Sequence, residues 1–356
     1  MIKAIVRVGI YRACGIGDAV QLTPLFQQIR ADLPDAELVF FTSENVVDLL
    51  RHHPALDRVV GFAPAQTIGG ASRFGNLPLW HRIRREGPWD FLLNFEPKFR
   101  ASLAFRWVGA RRSSGYVTRW PWLGLYSHPL FVPPLPAPDA PHVSTDYLRA
   151  WQNLTGNGDR NCGYNMQHLL QQPATLPELP EEFLCLAPGS GNFAGCIEAK
   201  RWPYWRELAD LLRAEGWRLA WLGGSDDARE YRPPPGDLNL LGRIDLVTAA
   251  HVIGRSAGLI GNDSGMFHLA IGLGVPAAAF YGPTSSTHVG PFRASRSLVL
   301  KKDIPCAPCQ EYSCRVPSSG FPSGAVRPFC MTLLRPEDVL PRLRSFFQEP
   351  KHTAQR

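Results

Sequence analysis

Three short stretches of this chain carry residue types able to do chemistry, and each stands between an apolar run and a segment of helical period. The first is Gly15-Ile16-Gly17-Asp18. Its glycines let the backbone turn tightly and approach a ligand, and the helix start that follows favours an anion or an anionic side chain. Asp18 fits a helix N-cap and equally a general base; the two roles are compatible. Val20 stands where the dinucleotide fingerprint needs its third glycine, which argues against a nicotinamide-dependent dehydrogenase. The second stretch is Ala187-Pro188-Gly189-Ser190-Gly191, followed by Lys200-Arg201-Trp202-Pro203. A glycine turn and then a lysine at a helix start suit a pair of phosphates, although an ordinary strand–helix turn with exposed basic residues reads the same way. The third runs Gly261-Asn262-Asp263-Ser264-Gly265-Met266-Phe267-His268, with Tyr281-Gly282-Pro283-Thr284 beyond it. A strand ending in Asp263 and small residues that free the next helix's amides can hold a diphosphate on N–H groups. Asp263 would repel that diphosphate, so it is expected to cap the helix or bond a sugar hydroxyl. His268, one turn on, reads either as a ligand contact or as a satisfied buried histidine.

A fourth constellation is Cys306, Cys309, Cys314 and Cys330. Four thiolates can close a tetrahedral zinc site, but only the first spacing is that of a standard knuckle. Reduced, packed cysteines are the alternative, and Cys14, Cys162, Cys185 and Cys196 read as small hydrophobes. Eight cysteines in 356 residues are no disulfide scaffold, and they are expected reduced in the cytosol. No D-x-D pair occurs in the chain, which argues for protein groups rather than a metal holding a diphosphate.

Charge is concentrated. The formal net charge is +7, and ten basic against three acidic residues between Arg73 and Arg119 account for all of it. Such a region suits an anionic partner; solvated surface charge is the plainer reading. With 45% hydrophobic and 19% charged residues the composition is that of a globular protein, not a disordered or collagenous one. The longest apolar run, Leu269 to Tyr281, is too short to cross a bilayer and contains Pro276. Arg7 and Arg12 interrupt the apolar N-terminus, which is expected to be a buried strand rather than a signal peptide.

The elements that must position these residues alternate along the chain. Apolar runs at 2–8, 38–41, 58–62 and 90–95 predict buried parallel strands. Leu22, Leu25, Phe26, Ile29 and Leu33 predict a helix, with Pro24 in its opening turn. A Pro-rich stretch at 129–141 and a helix near Tyr147 to Leu154 follow, and the rhythm restarts at 183–188. Strands are predicted at 217–222, 239–241, 258–262 and 275–281, with helices between them; one of these opens with Pro203. Strand–helix alternation in two runs predicts two Rossmann-like α/β domains.

In order and content these pieces resemble glycosyltransferase family 9, the bacterial lipopolysaccharide heptosyltransferases. The residues that carry the resemblance are GIGDAVQLTPLFQQIRADLPDAEL, NVVDLLRHHPALDRVVGF, APGS with KRWPYW, and GNDSGMFHLAIGLGVPAAAFYGPT, spread over about residues 4 to 340. The chain departs from the family pattern at Asn262 and in the length of Gly191–Ala199 before Lys200. The resemblance implies a GT-B fold, two Rossmann-like domains facing across a cleft. An acceptor domain would span 1–170 and a donor domain 180–335, with a C-terminal helix and tail, 336–356, packing back on the first domain. It implies inverting transfer of a heptose from ADP-heptose to the inner core of lipopolysaccharide. Asp18 matches the catalytic base and Lys200 the lysine on the donor phosphate. Gly189, Ser190, Gly224, Ile244, Asp263, Ser264, Gly265 and His268 fall to the donor, and Gly15, Gly17, Arg82, Arg85 and Arg100 to the acceptor. No cofactor is required beyond the ADP-sugar substrate, with structural zinc at the cysteines a further option. The expected location is the cytoplasm, peripherally at the inner membrane, with the lipid A core as partner and no nucleic acid. Another GT-B transferase, a nucleotide-sugar epimerase and a non-catalytic module binding anionic lipid are the alternatives.

Overall fold

The computed structural model describes residues 5–63, 77–132, 140–190, 198–294, 296–311, 313–317 and 326–348. Packing divides the chain between Leu169 and Leu170 into two units.

The first unit holds strands β1 (Arg7–Arg12), β2 (Glu37–Ser43), β3 (Arg58–Phe62), β4 (Phe91–Asn94), β5 (Arg112–Val117) and β6 (His128–Phe131). Its helices are α1 (Ile16–Asp32), α2 (Val47–Leu50), α3 (Leu77–Arg85), α4 (Phe99–Val108) and α5 (Val143–Thr155). The strands form one parallel sheet in the order β3-β2-β1-β4-β5-β6. Of the strand expected at 2–8, residues 2–4 lie outside the described residues, and residues 5 and 6 precede the register of β1 with its neighbours, which begins with Arg7 opposite Glu37 and Val8 opposite Phe91. The arginines that bracket it are tolerated because each finds an acceptor: the Arg7 Nε donates to Glu37 at 2.7 Å, and Arg12 donates to the Phe95 carbonyl. The Pro-rich stretch expected as a join starts as strand β6, paired with β5; residues 133–139 of it lie outside the described residues. The core gathers Tyr11, Phe41, Trp80, Trp89 and Phe105 on one face of the sheet.

The second unit repeats this plan with β7 (Phe183–Ala187), β8 (Arg218–Trp221), β9 (Leu238–Asn239), β10 (Gly258–Asn262), β11 (Ala277–Tyr281) and β12 (Ser297–Lys301). Their order is β12-β11-β10-β7-β8-β9, all parallel, which is the first unit's topology over again. The helices are α6 (Trp205–Ala214), α7 (Ser225–Glu230), α8 (Leu246–Arg255), α9 (Gly265–Gly272), α10 (Ser286–Val289), α11 (Phe329–Thr332) and α12 (Pro336–Gln348). Leu208, Ala209 and Leu212 of α6 face the sheet, and α12 adds Val339 and Leu343 to the same core. Trp202 anchors it, stacked on Phe280 at 4.0 Å and donating its indole N–H to the Leu334 carbonyl at 2.7 Å. α6 opens at Trp205, two residues past the Pro203 expected in its first turn. No described helix is long and apolar enough to cross a membrane.

Candidate active site

Each sheet reverses its strand order once, between β1 and β4 in the first unit and between β7 and β10 in the second. Loops leaving the carboxyl ends of such strands diverge there, and open α/β sheets bind ligands in the resulting crevice.

In the first unit the loop after β1 ends at Gly15, and Gly17 and Asp18 open α1. Gly15 caps α1, and a Cβ there would meet nothing within 4 Å, so the loop's outer side is open. Asp18 sits in the first turn of α1. The Gly15 N–H donates to its Oδ2 at 3.4 Å, and the Arg12 Nη2 lies 3.4 Å from its Oδ1. The Asp18 side chain is still 40% exposed, which leaves the carboxylate reachable. Arg12 went unnoticed in the sequence as a site residue. Burial works against its charge more than anything else, yet Tyr147, Asp18 and Glu96 around it hold the guanidinium firmly protonated. Its Nε and the hydroxyls of Tyr116 and Tyr147 are buried without a partner among the described residues. Glu96, buried just past β4, is neutralised by Lys98 at 3.0 Å. Cys14 beside this loop is buried, with its thiol pushed up to about 12 by desolvation, as expected of a packed cysteine.

The structure separates the three arginines expected at the acceptor. Arg100 lies in the opening turn of α4, just beyond the carboxyl end of β4 and so on Asp18's edge of the sheet. Arg82 and Arg85 sit in the closing turn of α3, which leads into the amino end of β4. Glu86 marks that opposite edge: it pairs with Arg82 at 3.3 Å and with Arg58, the first residue of β3, at 3.2 Å. All three arginines are exposed.

In the second unit, residues far apart in sequence converge beyond β10. The Lys200 ammonium reaches Asp263 Oδ2 at 2.6 Å, the Thr284 hydroxyl donates to the same oxygen at 2.7 Å, and His268 Nε2 lies 3.8 Å from Oδ1. Asp263 and His268 are buried. Burial is the largest influence on the Asp263 carboxyl and raises it; Lys200 and His268 outweigh it and hold the group well below the usual carboxylate range. Asp263 therefore does not cap α9, one of the two roles expected of it. Ser264 is the N-cap, its hydroxyl makes no capping bond, and that oxygen is buried without a partner among the described residues. The first-turn amides of α9, beginning at Gly265, receive no bond from the Ser264 side chain, and a helix start of this kind can bind an anion. Asn262 locks the neighbouring loops: its amide donates to the Pro188 carbonyl at 2.6 Å, and its oxygen accepts from the Trp202 N–H at 3.2 Å.

A second cluster forms beyond β7 and β8. Gly189 packs so closely on Asp227 that a Cβ would stand 2.4 Å from its carboxylate oxygen. The Gly224 N–H donates to that carboxylate at 2.8 Å; desolvation raises the Asp227 carboxyl, which the Gly224 bond only partly opposes. No sequence signal marked Asp227. Ile244 follows the Gly242 turn, whose N–H donates to the Gly223 carbonyl at 2.9 Å, and this sets it beside the same loop. Ser190 is buried at the end of the described part of its loop; residues 191–197, the long segment before Lys200, lie outside the described residues.

Among the described residues no group of three or more His, Cys, Asp or Glu side chains is arranged to hold a metal ion, the four clustered cysteines included. Burial chiefly pushes the Cys330 thiol up to about 12 and raises Cys306, with the neighbouring cysteines adding to both.

Two Rossmann-type sheets in one chain, each with polar residues gathered at a switch point, are the components of the GT-B fold. Residues 77–319 match Glycosyltransferase family 9 (heptosyltransferase), and the chain belongs to that family. It is 26% identical to lipopolysaccharide heptosyltransferase 1 of Pseudomonas aeruginosa over 97% of this chain and 99% of the relative. It is 32% identical to lipooligosaccharide heptosyltransferase 2 of Haemophilus influenzae over 36% of this chain and 39% of that one. In fold it is similar to the family 9 glycosyltransferase of Veillonella parvula, with a TM-score of 0.73 at 18% identity over 98% of both chains. It is likewise similar to E. coli heptosyltransferase WaaC with ADP, with a TM-score of 0.70 at 18% identity over 96% of this chain and 99% of the other. The chain is a glycosyltransferase.

Proposed function

We propose that the protein transfers a heptose from ADP-heptose to the inner core of lipopolysaccharide, inverting the anomeric centre. Asp18 takes the proton from the acceptor hydroxyl as that oxygen attacks the anomeric carbon and the bond to ADP breaks. Lys200 and the α9 amides at Ser264 and Gly265 take up the charge developing on the departing diphosphate, as groups fixed in place before the reaction. The observation that carries this reading is the convergence of Lys200, Asp263, His268 and Thr284 on the start of α9. It holds a cation beside the helix start without loose charge, since Asp263 neutralises the lysine until an anion arrives. The near full-length match to a lipopolysaccharide heptosyltransferase supports the sugar and the acceptor class. A solved neighbour was studied with ADP-2-deoxy-2-fluoro heptose, which fits the same donor.

Gly189, Ser190, Gly224 and Ile244 line the donor side in this reading, with Gly15, Gly17 and Arg100 on the acceptor side. Protein groups hold the diphosphate in place of a divalent cation, since the chain has no D-x-D pair. The enzyme works at the inner face of the cytoplasmic membrane without spanning it. Mass spectrometry of products formed from ADP-heptose and core-truncated lipopolysaccharides tests the proposal, with and without EDTA. A product heavier by one heptose, formed equally with EDTA, is the expected result. Release of ADP without a heptosylated product, or no use of ADP-heptose at all, overturns it.

A further inference from the structure

Helix α4 buries Ala101, Phe105 and Val108 and leaves Phe99, Leu103 and Trp107 outside, at 44, 51 and 45% exposure. Spaced four apart, these three form one stripe along the helix. A surface helix of a globular domain normally carries polar residues on that face. The stripe is held, not loose. Trp107 stacks on His81 at 5.5 Å and lies 4.6 Å under the Arg84 guanidinium, while Phe99 packs on Trp122 at 5.2 Å. Trp120, in the turn that packs against α4, is 79% exposed.

Guanidinium groups border this apolar surface. Arg100 and Arg106 are exposed on α4, and Arg82, Arg84 and Arg85 on α3 beside it, while neither helix carries an acidic residue. From 77 to 119 the chain holds nine basic residues against three acidic ones. A second copy of this chain laid on the face would set like charge against like, so self-association is disfavoured. Aromatic and aliphatic tips ringed by arginines match the boundary between headgroups and acyl chains of an anionic bilayer, where rings insert and basic side chains meet phosphates.

We infer that the α3–α4 face, with Trp120, docks on an anionic lipid surface. Phe99, Leu103 and Trp107 enter it, and the arginines pair with lipid phosphates. The Phe99 end of the stripe is also the Asp18 edge of the sheet, so docking brings the catalytic loop to the surface. The inference deepens the proposed function, since it rests on the acceptor being a membrane lipid.

Co-sedimentation of the full chain with lipopolysaccharide-free phosphatidylcholine vesicles, with and without phosphatidylglycerol, tests it. The protein should pellet with the anionic vesicles alone, and binding should fall as salt rises. Leu103→Ser with Trp107→Ser should weaken binding by at least about tenfold, the effect of withdrawing a few methylenes from the interface. Arg106→Gln should weaken it about fivefold. Both should keep the parent's thermal midpoint and its transfer rate to a delipidated, soluble acceptor. Leu103→Ser alone, which removes no ring contact, serves if the double variant unfolds. Failure of the wild-type protein to pellet, or equal pelleting of the folded apolar variants, overturns the docking face. So does a concentration-dependent dimer, seen by sedimentation velocity, that the Leu103 variant abolishes without loss of vesicle binding. Vesicle binding without heptose transfer would remove the proposed function instead and leave the docking face standing.

Discussion

The ammonium of Lys200 lies 2.6 Å from Oδ2 of Asp263 although sixty-three residues separate the two along the chain. The pair is largely enclosed, with side-chain exposures of 18 and 5%. Two desolvated charges hold each other only while both are present, and removing either leaves a buried charge uncompensated. The contact thus serves the fold of the β10–α9 loop and, in the proposed reaction, keeps a cation near the departing diphosphate.

Lys200→Ala should weaken ADP binding in calorimetry by removing the cation, and Asp263→Asn by loosening the loop that positions it, and each should lower stability by about 3–5 kcal/mol. Binding of the acceptor alone should be largely unchanged. ADP affinity equal to wild type in both variants would move the donor site elsewhere.

Asp18→Asn should keep the fold, because the carboxylate is 40% exposed and its two contacts are both long, at 3.4 Å. Turnover should drop by about 10²–10⁴, the usual contribution of a positioned general base, with ADP affinity retained. A variant turning over at near the parent rate removes Asp18 from the chemistry.

Arg100→Gln should raise the apparent acceptor constant more than the donor constant, since this arginine opens α4 at the edge of the sheet that carries Asp18. Arg82→Gln with Arg85→Gln should change it less, because those side chains flank Glu86 at the opposite edge. With a soluble acceptor, the Arg100 effect should shrink as salt rises, exposed charges being screened beyond about 10 Å at 0.1 M. Acceptor steady-state kinetics across a salt series separate these outcomes, and equal effects from both edges would refute the division.

Stability of the first unit should fall as the medium is acidified, through His53. Desolvation is the main reason its imidazole is pushed down to about 3, and His168, with ring centroids 5.0 Å apart, adds to it. The unfolded chain binds that proton near the ordinary 6.5 and the folded one does not. His53 therefore costs nothing above about pH 6.5, and destabilises increasingly as pH falls toward 3. Between pH 7 and pH 5 this one group should remove about 2 kcal/mol, from the usual 1.36 kcal/mol per pH unit. Urea unfolding at the two pH values measures it. His53→Phe should flatten the dependence, and an equally steep fall in that variant would assign it to other groups.

Much of this protein could be read locally. The strands at 58–62 and 258–262 and the helix through Leu22, Phe26 and Ile29 follow from side chains that alternate or recur at fixed period, which reports burial without any partner being known. The same reading passes over β5, RSSGYV, because its small and polar residues carry no apolar signal. Gly115 is there since the ring of Tyr126 lies where a Cβ would stand, 2.5 Å away, a neighbour that only the sheet supplies. The glycine–aspartate turn after β1 and the Asn262–His268 stretch were visible as motifs because a loop that meets a ligand with its backbone needs small residues in fixed order. Their electrical environment was not visible. Arg12 and Asp18 flank one turn, but the Phe95 carbonyl pins the guanidinium only when β1 and β4 lie side by side. Lys200 approaches Asp263 only when the loops after β7 and β10 share one edge. Parallel strands need long crossovers, so their carboxyl ends gather residues that the sequence keeps dozens of positions apart. Residue type and period are local properties that the sequence alone determined; which charges met, and which arginines shared an edge with Asp18, depended on strand order, and only the tertiary structure decided that.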